Sequence, residues 1–498
     1  MFNYTGHGGT TALSDEKVLT QTDINQFTYT HLPVWVTATC DFTRFDDLNT
    51  SAGEDVFLNK SSGGIALFTT VRVAYSRPNF PINDNVIRNL FERNNGRRRT
   101  LGEVMQATKN TLSSVYKLGF CLIGDPAVKM AYPEFGMKVT TVNGQSVDGN
   151  SISFKALEKI TVEGEVLDVS GQLVTDFTGI VNPTVKDSKV TVTCLKNSNK
   201  DDSPAFTFTD YPNTIFIGND SVRNGKFSFT FTVPKDISYS NLQGKMNLYA
   251  VDTESGNEAQ GNFDNFIVGG TSDTAETDTI GPEIRTLYLN DTTFVDGGQV
   301  NTTPYFVAEL WDKSGVNITG SSVGHDMMLV IDESTVLSYN LNSYYELLPG
   351  EDGTGIVKFP IPALEPGKHT AEFWVWDILN NSTVRTFTFE VVEGLKPFLF
   401  DVIATPGIAR EQVTFHLMHN RPESRMRVGI MVYDLAGRQL WKHEESGTSG
   451  LFENYTVSWD LTSGGARMRP GVYIYRAAIS TDNSKDATKA RKFIILGE

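Results

Sequence analysis

Apolar and polar positions alternate in two different ways along the chain. In the first ~130 residues, unbroken apolar runs alternate with amphipathic ones, which predicts interleaved strands and helices. His31-Leu-Pro-Val-Trp-Val-Thr-Ala-Thr39 is rich in β-branched residues and reads as a buried strand ending at Cys40. Ser51-Ala-Gly-Glu54 is a capping box that opens a helix through about Lys60, and Gly63-Gly64 breaks it. Ile65–Val71 reads as a second buried strand. Val86, Ile87, Leu90 and Phe91 fall on one face of a helix predicted over Asn83–Asn94. Thr100-Leu-Gly-Glu103 is a second capping box, for a helix through about Tyr116. The region closes at Phe120–Ala127, and its order of elements predicts a largely parallel sheet.

From about Gly136 the period shortens to two. Lys189–Leu195 and Lys226–Val233 alternate between turn-rich stretches, the pattern of antiparallel sandwiches. Gly269–Pro282 is rich in Gly, Ser, Thr, Asp and Glu and reads as a linker. The expected organisation is an α/β region over 1–132 and β-sandwiches of Ig-like type over 136–270, 280–394 and 396–498. A chain of 498 residues is long enough for such a set.

Composition then narrows the function. The formal net charge of -16 leaves no basic footprint for nucleic acid or an anionic membrane. Arg97–Arg99 is too short a run to supply one. Three cysteines, Cys40, Cys121 and Cys194, are too few for a disulfide framework. No stretch of about 18 apolar residues predicts a membrane helix. The opening Met1-Phe-Asn-Tyr-Thr-Gly-His7 lacks the basic flank and apolar core of a signal peptide. It reads as a strand running into a turn, so the chain is expected to be truncated at its N-terminus.

The chemistry gathers at His7 and Cys40. His7 sits in Gly6-His-Gly-Gly9, where glycines permit a tight turn and close approach of a ligand. Cys40 stands at the end of a buried strand, and sites in parallel α/β sheets form at that edge. A thiol needs a base to become a nucleophile, an imidazole can serve and later protonate the leaving amine, and preorganised amides stabilise the oxyanion. The candidate oxyanion amides are those of Gly8 and Cys40.

Asn3-Tyr-Thr-Gly-His-Gly-Gly9 with Thr37-Ala-Thr-Cys40 resembles the gingipain family of caspase-fold cysteine peptidases. The 33-residue separation of His7 from Cys40 and the closing Gly124-Asp-Pro126 are similar too. The resemblance implies a partial caspase-like α/β domain with His7 and Cys40 as catalytic pair and Gly8 and Cys40 as oxyanion donors. It also implies that the substrate pocket and the acidic partner of the histidine lie upstream of this turn.

Markers further on look like the sortase of the type IX secretion system: Leu310–Val316, Gly324-His-Asp326, Leu341–Tyr345, Trp376-Asp377 and Asn380–Ser382. Tyr433–Arg438 and Pro470–Tyr475 resemble C-terminal sorting domains. That likeness implies an enzyme on the Gram-negative outer-membrane surface. It would cut C-terminal sorting signals from exported proteins and join them to an amine of anionic lipopolysaccharide. Its last sandwich would dock on an outer-membrane β-barrel. The alternatives are a secreted gingipain-like protease and a non-catalytic surface assembly module.

The remaining candidates read more plainly. Cys121, in the apolar run Phe120–Ile123, reads as core, and Cys194 and His31 read as structural. No cofactor is expected. Structural calcium is the one metal reading, at Asp41, Asp46, Asp47, Glu54 and Asp55, although Glu54 already serves as a cap. Gly324-His-Asp326 with Asp332 invites a similar reading. His416 and His419 would suit zinc on a helix, but their segment reads as a strand.

Overall fold

The computed structural model describes residues 1–496 apart from 28, 30, 61–62, 95, 197–203, 274–277, 321–323, 349–352 and 482. Part of the expected linker, 274–277, therefore lies outside the described residues. The chain is β-rich and forms two compact units, 1–134 with 169–172, and 135–168 with 173–498.

In the first unit a four-stranded sheet runs in the order Phe2–Thr5, Val34–Ala38, Ala66–Thr70, Phe120–Ile123. The first three strands are parallel and the fourth is antiparallel. Val34, Val36, Ala66 and Phe68 pack on one face against Ile82, Val86, Leu90, Leu101 and Val104. These come from helices α3 (Ser76–Phe91) and α4 (Leu101–Thr111). Trp35 and Leu67 face the other way, onto Ile24, Ala52 and Val56. Those belong to α1 (Gln21–Gln26) and α2 (Ala52–Leu58). Both faces are covered, which is why the central strands read as unbroken apolar runs.

Both predicted capping boxes form. Ser51 N–H and Oγ donate to Glu54 at 2.8 and 2.7 Å, and Thr100 N–H donates to Glu103 at 2.8 Å. Two helices differ from expectation. The expected 83–94 helix spans Ser76–Phe91 and carries Pro81 within it. The last helix stops at Thr111 rather than near Tyr116, and a 3-10 turn follows over Val115–Gly119. Lys117 Nζ reaches back to the Lys109 and Leu112 carbonyls at 2.9 and 2.5 Å, satisfying the groups the helix end leaves open.

The second unit holds three apolar cores in sequence, drawn from 137–268, 289–391 and 399–495. The middle one lies between a four-stranded and a five-stranded sheet, and the last between a three-stranded and a five-stranded sheet. The first departs from two open sheets. Its main sheet has nine strands, and Phe135–Val142 pairs both with Lys159–Leu167 and, through Ala259↔Phe135 and Gln260↔Gly136, with Glu258–Phe263. The sheet therefore closes on itself, which removes two open edges. Val190–Thr193 is a short strand as expected, but Cys194 follows it and is exposed. Cys121 is half-buried rather than core.

Candidate active site

The strands that carry the candidate pair are neighbours. Phe2 pairs with Trp35 and Thr5 with Ala38, a register of 33 residues. The same offset runs from His7 to Cys40, so each stands two residues beyond a paired strand end, level with the other. Gly6 N–H extends the ladder by one bond, to the Ala38 carbonyl at 3.4 Å.

After Gly6 the chain enters a small hairpin. Ser14 N–H donates to the His7 carbonyl at 2.7 Å and Gly9 N–H to Ala12 at 3.0 Å. Gly8 lies between these bonds, opposite Leu13. The Tyr4 hydroxyl also donates to the His7 carbonyl, at 2.6 Å. Beneath Gly8 lies Thr39, wholly buried, whose hydroxyl has no hydrogen-bond partner among the described residues. The His7 side chain is exposed, and among the described residues its ring makes no hydrogen bond or ion pair.

Cys40 is half-buried. Its Sγ donates to the Ala74 carbonyl at 3.0 Å and accepts from Ala74 N–H at 3.4 Å. The next residue, Asp41, has φ of 51° and turns the chain, its N–H meeting the Arg72 carbonyl at 3.3 Å. Arg72 in turn grips Asp46 through two contacts of 3.0 and 2.6 Å. The segment carrying Ala74 is thus tied both to the cysteine and to the loop after it. The Thr70 hydroxyl holds the Thr39 carbonyl at 2.5 Å, and Thr37, Thr69 and Thr43 form a hydroxyl chain at 2.8 Å spacings below the site.

Of the acidic residues after Cys40, Asp46, Asp47, Glu54 and Asp55 are engaged locally, while Asp41 Oδ1 is buried with no hydrogen-bond partner among the described residues. Asp46 pairs with Arg72, and Asp47 lies 3.9 Å from Arg44. Glu54 caps α2, and Asp55 accepts from Gln21 and Asn25 at 3.0 and 3.3 Å. His325 and Asp332 are separate. The first meets Asp236 at 2.6 Å and the second meets His369 at 2.7 Å. His416 and His419 lie on the strand Val413–His419, as expected. Elsewhere, carboxylate oxygens of Asp278, Asp312 and Asp377 lie within 4.8 Å of one another. Burial pushes the Asp377 carboxyl up, against its bonds from Asn381, and Asp312 Oδ1 is occupied by Ser314 and Gly315.

Sequence reasoning did not single out Tyr4, Thr39, Arg72 or Ala74. Tyr4 alone carried a signal, three residues before the histidine on the strand that delivers it.

A family model described as peptidase family C25 matches residues 1–131. No curated protein matches the chain. Among solved structures, the chain is similar to dimeric latent PorU from Porphyromonas gingivalis, at 36% identity and a TM-score of 0.36. That likeness covers 88% of this chain and 41% of PorU, so this chain spans less than half of PorU's length. It is also similar to the Arg-specific cysteine proteinase gingipain R, at 19% identity and a TM-score of 0.25, covering 53% of this chain and 52% of that one.

Proposed function

We propose that this chain, whose first 131 residues belong to peptidase family C25 and are those of a cysteine peptidase of the gingipain family, works as a sorting peptidase and transpeptidase on the cell surface. In this reading Cys40 is the nucleophile and His7 the general acid–base. The thiol proton passes to His7 as sulfur attacks the scissile carbonyl carbon. Gly8 and Cys40 amides take the developing oxyanion. Collapse breaks the peptide bond, and the leaving amine receives the proton from His7. The thioester on Cys40 is then attacked by an amine, which forms a new amide and releases the thiol.

One observation carries this reading: the 33-residue register of the two strands equals the spacing of His7 and Cys40, so neighbouring strands deliver both to one sheet edge. The substrates in this reading are exported proteins with C-terminal sorting domains. The acceptor is an amine of anionic lipopolysaccharide on the Gram-negative outer membrane. Residues 396–498 dock on a β-barrel partner there.

The test is a Cys40→Ala strain, with His7→Ala beside it. Accumulation of uncleaved cargo in both supports the sorting peptidase. Cargo processed normally, with loss only of general proteolysis, favours a secreted gingipain-like protease. Normal processing with no lost proteolysis leaves a surface assembly module.

A further inference from the structure

Building on the catalytic reading of His7, Gly8 and Cys40, we propose that Tyr4 is a positioning residue of the oxyanion site, its hydroxyl fixing the His7–Gly8 peptide so that the Gly8 N–H faces the reaction.

A trans peptide is planar, and its C=O and N–H point in opposite directions. Fixing the carbonyl of His7 therefore fixes the N–H of Gly8. Two donors hold that carbonyl, the Tyr4 hydroxyl at 2.6 Å and the Ser14 amide at 2.7 Å. The hairpin that supplies the Ser14 bond gives the same orientation. Gly8 and Leu13 face each other as a non-hydrogen-bonded pair, because the bonds on either side belong to His7 with Ser14 and to Gly9 with Ala12. In such a pair the N–H points away from the partner strand. The Gly8 N–H has no acceptor among the described residues, so it is left for an incoming oxygen.

Tyr4 is built for this task. Its ring packs against the core that includes Leu13 and Trp35 and crosses Gly6, where a Cβ would lie 2.7 Å from the hydroxyl oxygen. Any larger residue at position 6 would displace it. Burial, helped by Glu16 and Asp15 and opposed by the Ser14 amide, raises the phenol above its ordinary pKa, in keeping with a hydroxyl that stays protonated. Donors on a carbonyl also polarise the N–H of the same peptide. Tyr4 thus aims the Gly8 amide and strengthens it.

The experiment compares Tyr4→Phe with the parent in the full chain. Phenylalanine keeps the ring and removes only the hydroxyl. Two reagents are used on Cys40, with Cys121 and Cys194 replaced by serine. Iodoacetamide alkylates sulfur without forming an oxyanion. Acetylated tripeptide aldehydes add to the thiol and place an oxygen where the oxyanion forms. The expected result is aldehyde affinity and kcat lowered together by roughly 3- to 30-fold, a fraction of the loss on removing a whole oxyanion donor. KM and the iodoacetamide rate should stay within about twofold of the parent.

A Tyr4→Phe variant that keeps aldehyde affinity and kcat overturns the role of Tyr4 while the catalytic reading stands. A variant that loses both reagents equally also overturns it, because the hydroxyl is then merely structural. A parent protein whose Cys40 takes up iodoacetamide but forms no aldehyde adduct overturns the catalytic reading, and the role of Tyr4 with it.

Discussion

The hydroxyl oxygen of buried Thr39 occupies the space where a side chain on Gly8 would have to go, since a Cβ built on the glycine comes within 2.4 Å of it. Thr39 is wholly buried and cannot swing into solvent. Gly8→Ala should therefore destabilise the N-terminal unit by about 1–3 kcal/mol, the cost of overpacking. In a Thr39→Ala background the same substitution should cost less than half as much. A double-mutant cycle by chemical unfolding measures this coupling, and additive costs would show that the two residues do not compete for space.

The ion pair between Arg72 and Asp46 anchors the segment whose Ala74 backbone holds the Cys40 sulfur from both sides. Asp46→Asn should free that segment and raise the iodoacetamide rate at Cys40 by about two- to fivefold, in keeping with the modest strength of an exposed pair. High salt should raise the parent's rate toward the variant's and leave that of Asp46→Asn unchanged, since screening acts on the ion pair itself. An unchanged rate in Asp46→Asn would mean that the segment is held by its backbone bonds alone.

Burial, and then the charge of Arg421, push the His419 ring down to about 4. The ring is held neutral, with Nδ1 accepting from Arg421 N–H at 3.1 Å and Nε2 facing Ser449 Oγ at 2.8 Å. The sign follows from proton counting. Between about pH 6.5 and 4 the unfolded chain binds a proton at this residue and the folded one does not, so stability falls as pH falls through that window. The ceiling is roughly 3 kcal/mol. Melting of the chain between pH 7 and 4, with His419→Gln as control, should show a slope in the parent that the variant lacks.

Asp236 joins the first and second modules of the larger unit. It accepts from Asn380 Nδ2 at 2.8 Å and meets His325 Nδ1 at 2.6 Å, while Lys235 N–H reaches the Ile378 carbonyl at 2.8 Å. Asp236→Ala strands those donors and should cost about 1–3 kcal/mol. Limited proteolysis between the modules, faster in the variant than in the parent, is the direct readout.

Most of the first unit was legible because its signals are local. Ser51 with Glu54 and Thr100 with Glu103 mark helix starts that the structure contains, and the apolar run before Cys40 is a buried strand. Thr20 with Asp23 makes the same box at the start of α1, a short helix with a single buried residue, Ile24, and so a faint apolar pattern. The start of α3 was hidden by Pro78 and Pro81, which argue against helix except in its first turns. The length of α4 was overestimated because Lys117 ends it from eight residues away, a contact no window of periodicity contains.

Around the candidate site, the glycine turn and the strand-end cysteine were visible as residue types. Thr39 and Ala74 were not. A buried threonine in an apolar run looks like any β-branched strand residue, and Ala74 acts through its backbone. Closure of the first module's sheet was equally silent, because the bond between its first and last strands joins Phe135 to Ala259 across more than a hundred residues.

That closure bears on how the first module comes apart. An open sheet can be unzipped from an outer strand, one ladder at a time, but a ring offers no free end at which to begin. Every strand in the ring must break two ladders before it can leave, so opening there is collective and slow exchange should extend evenly around the circle. A protease meets no frayed outer strand in that ring, so cleavage within it should wait on the same collective opening.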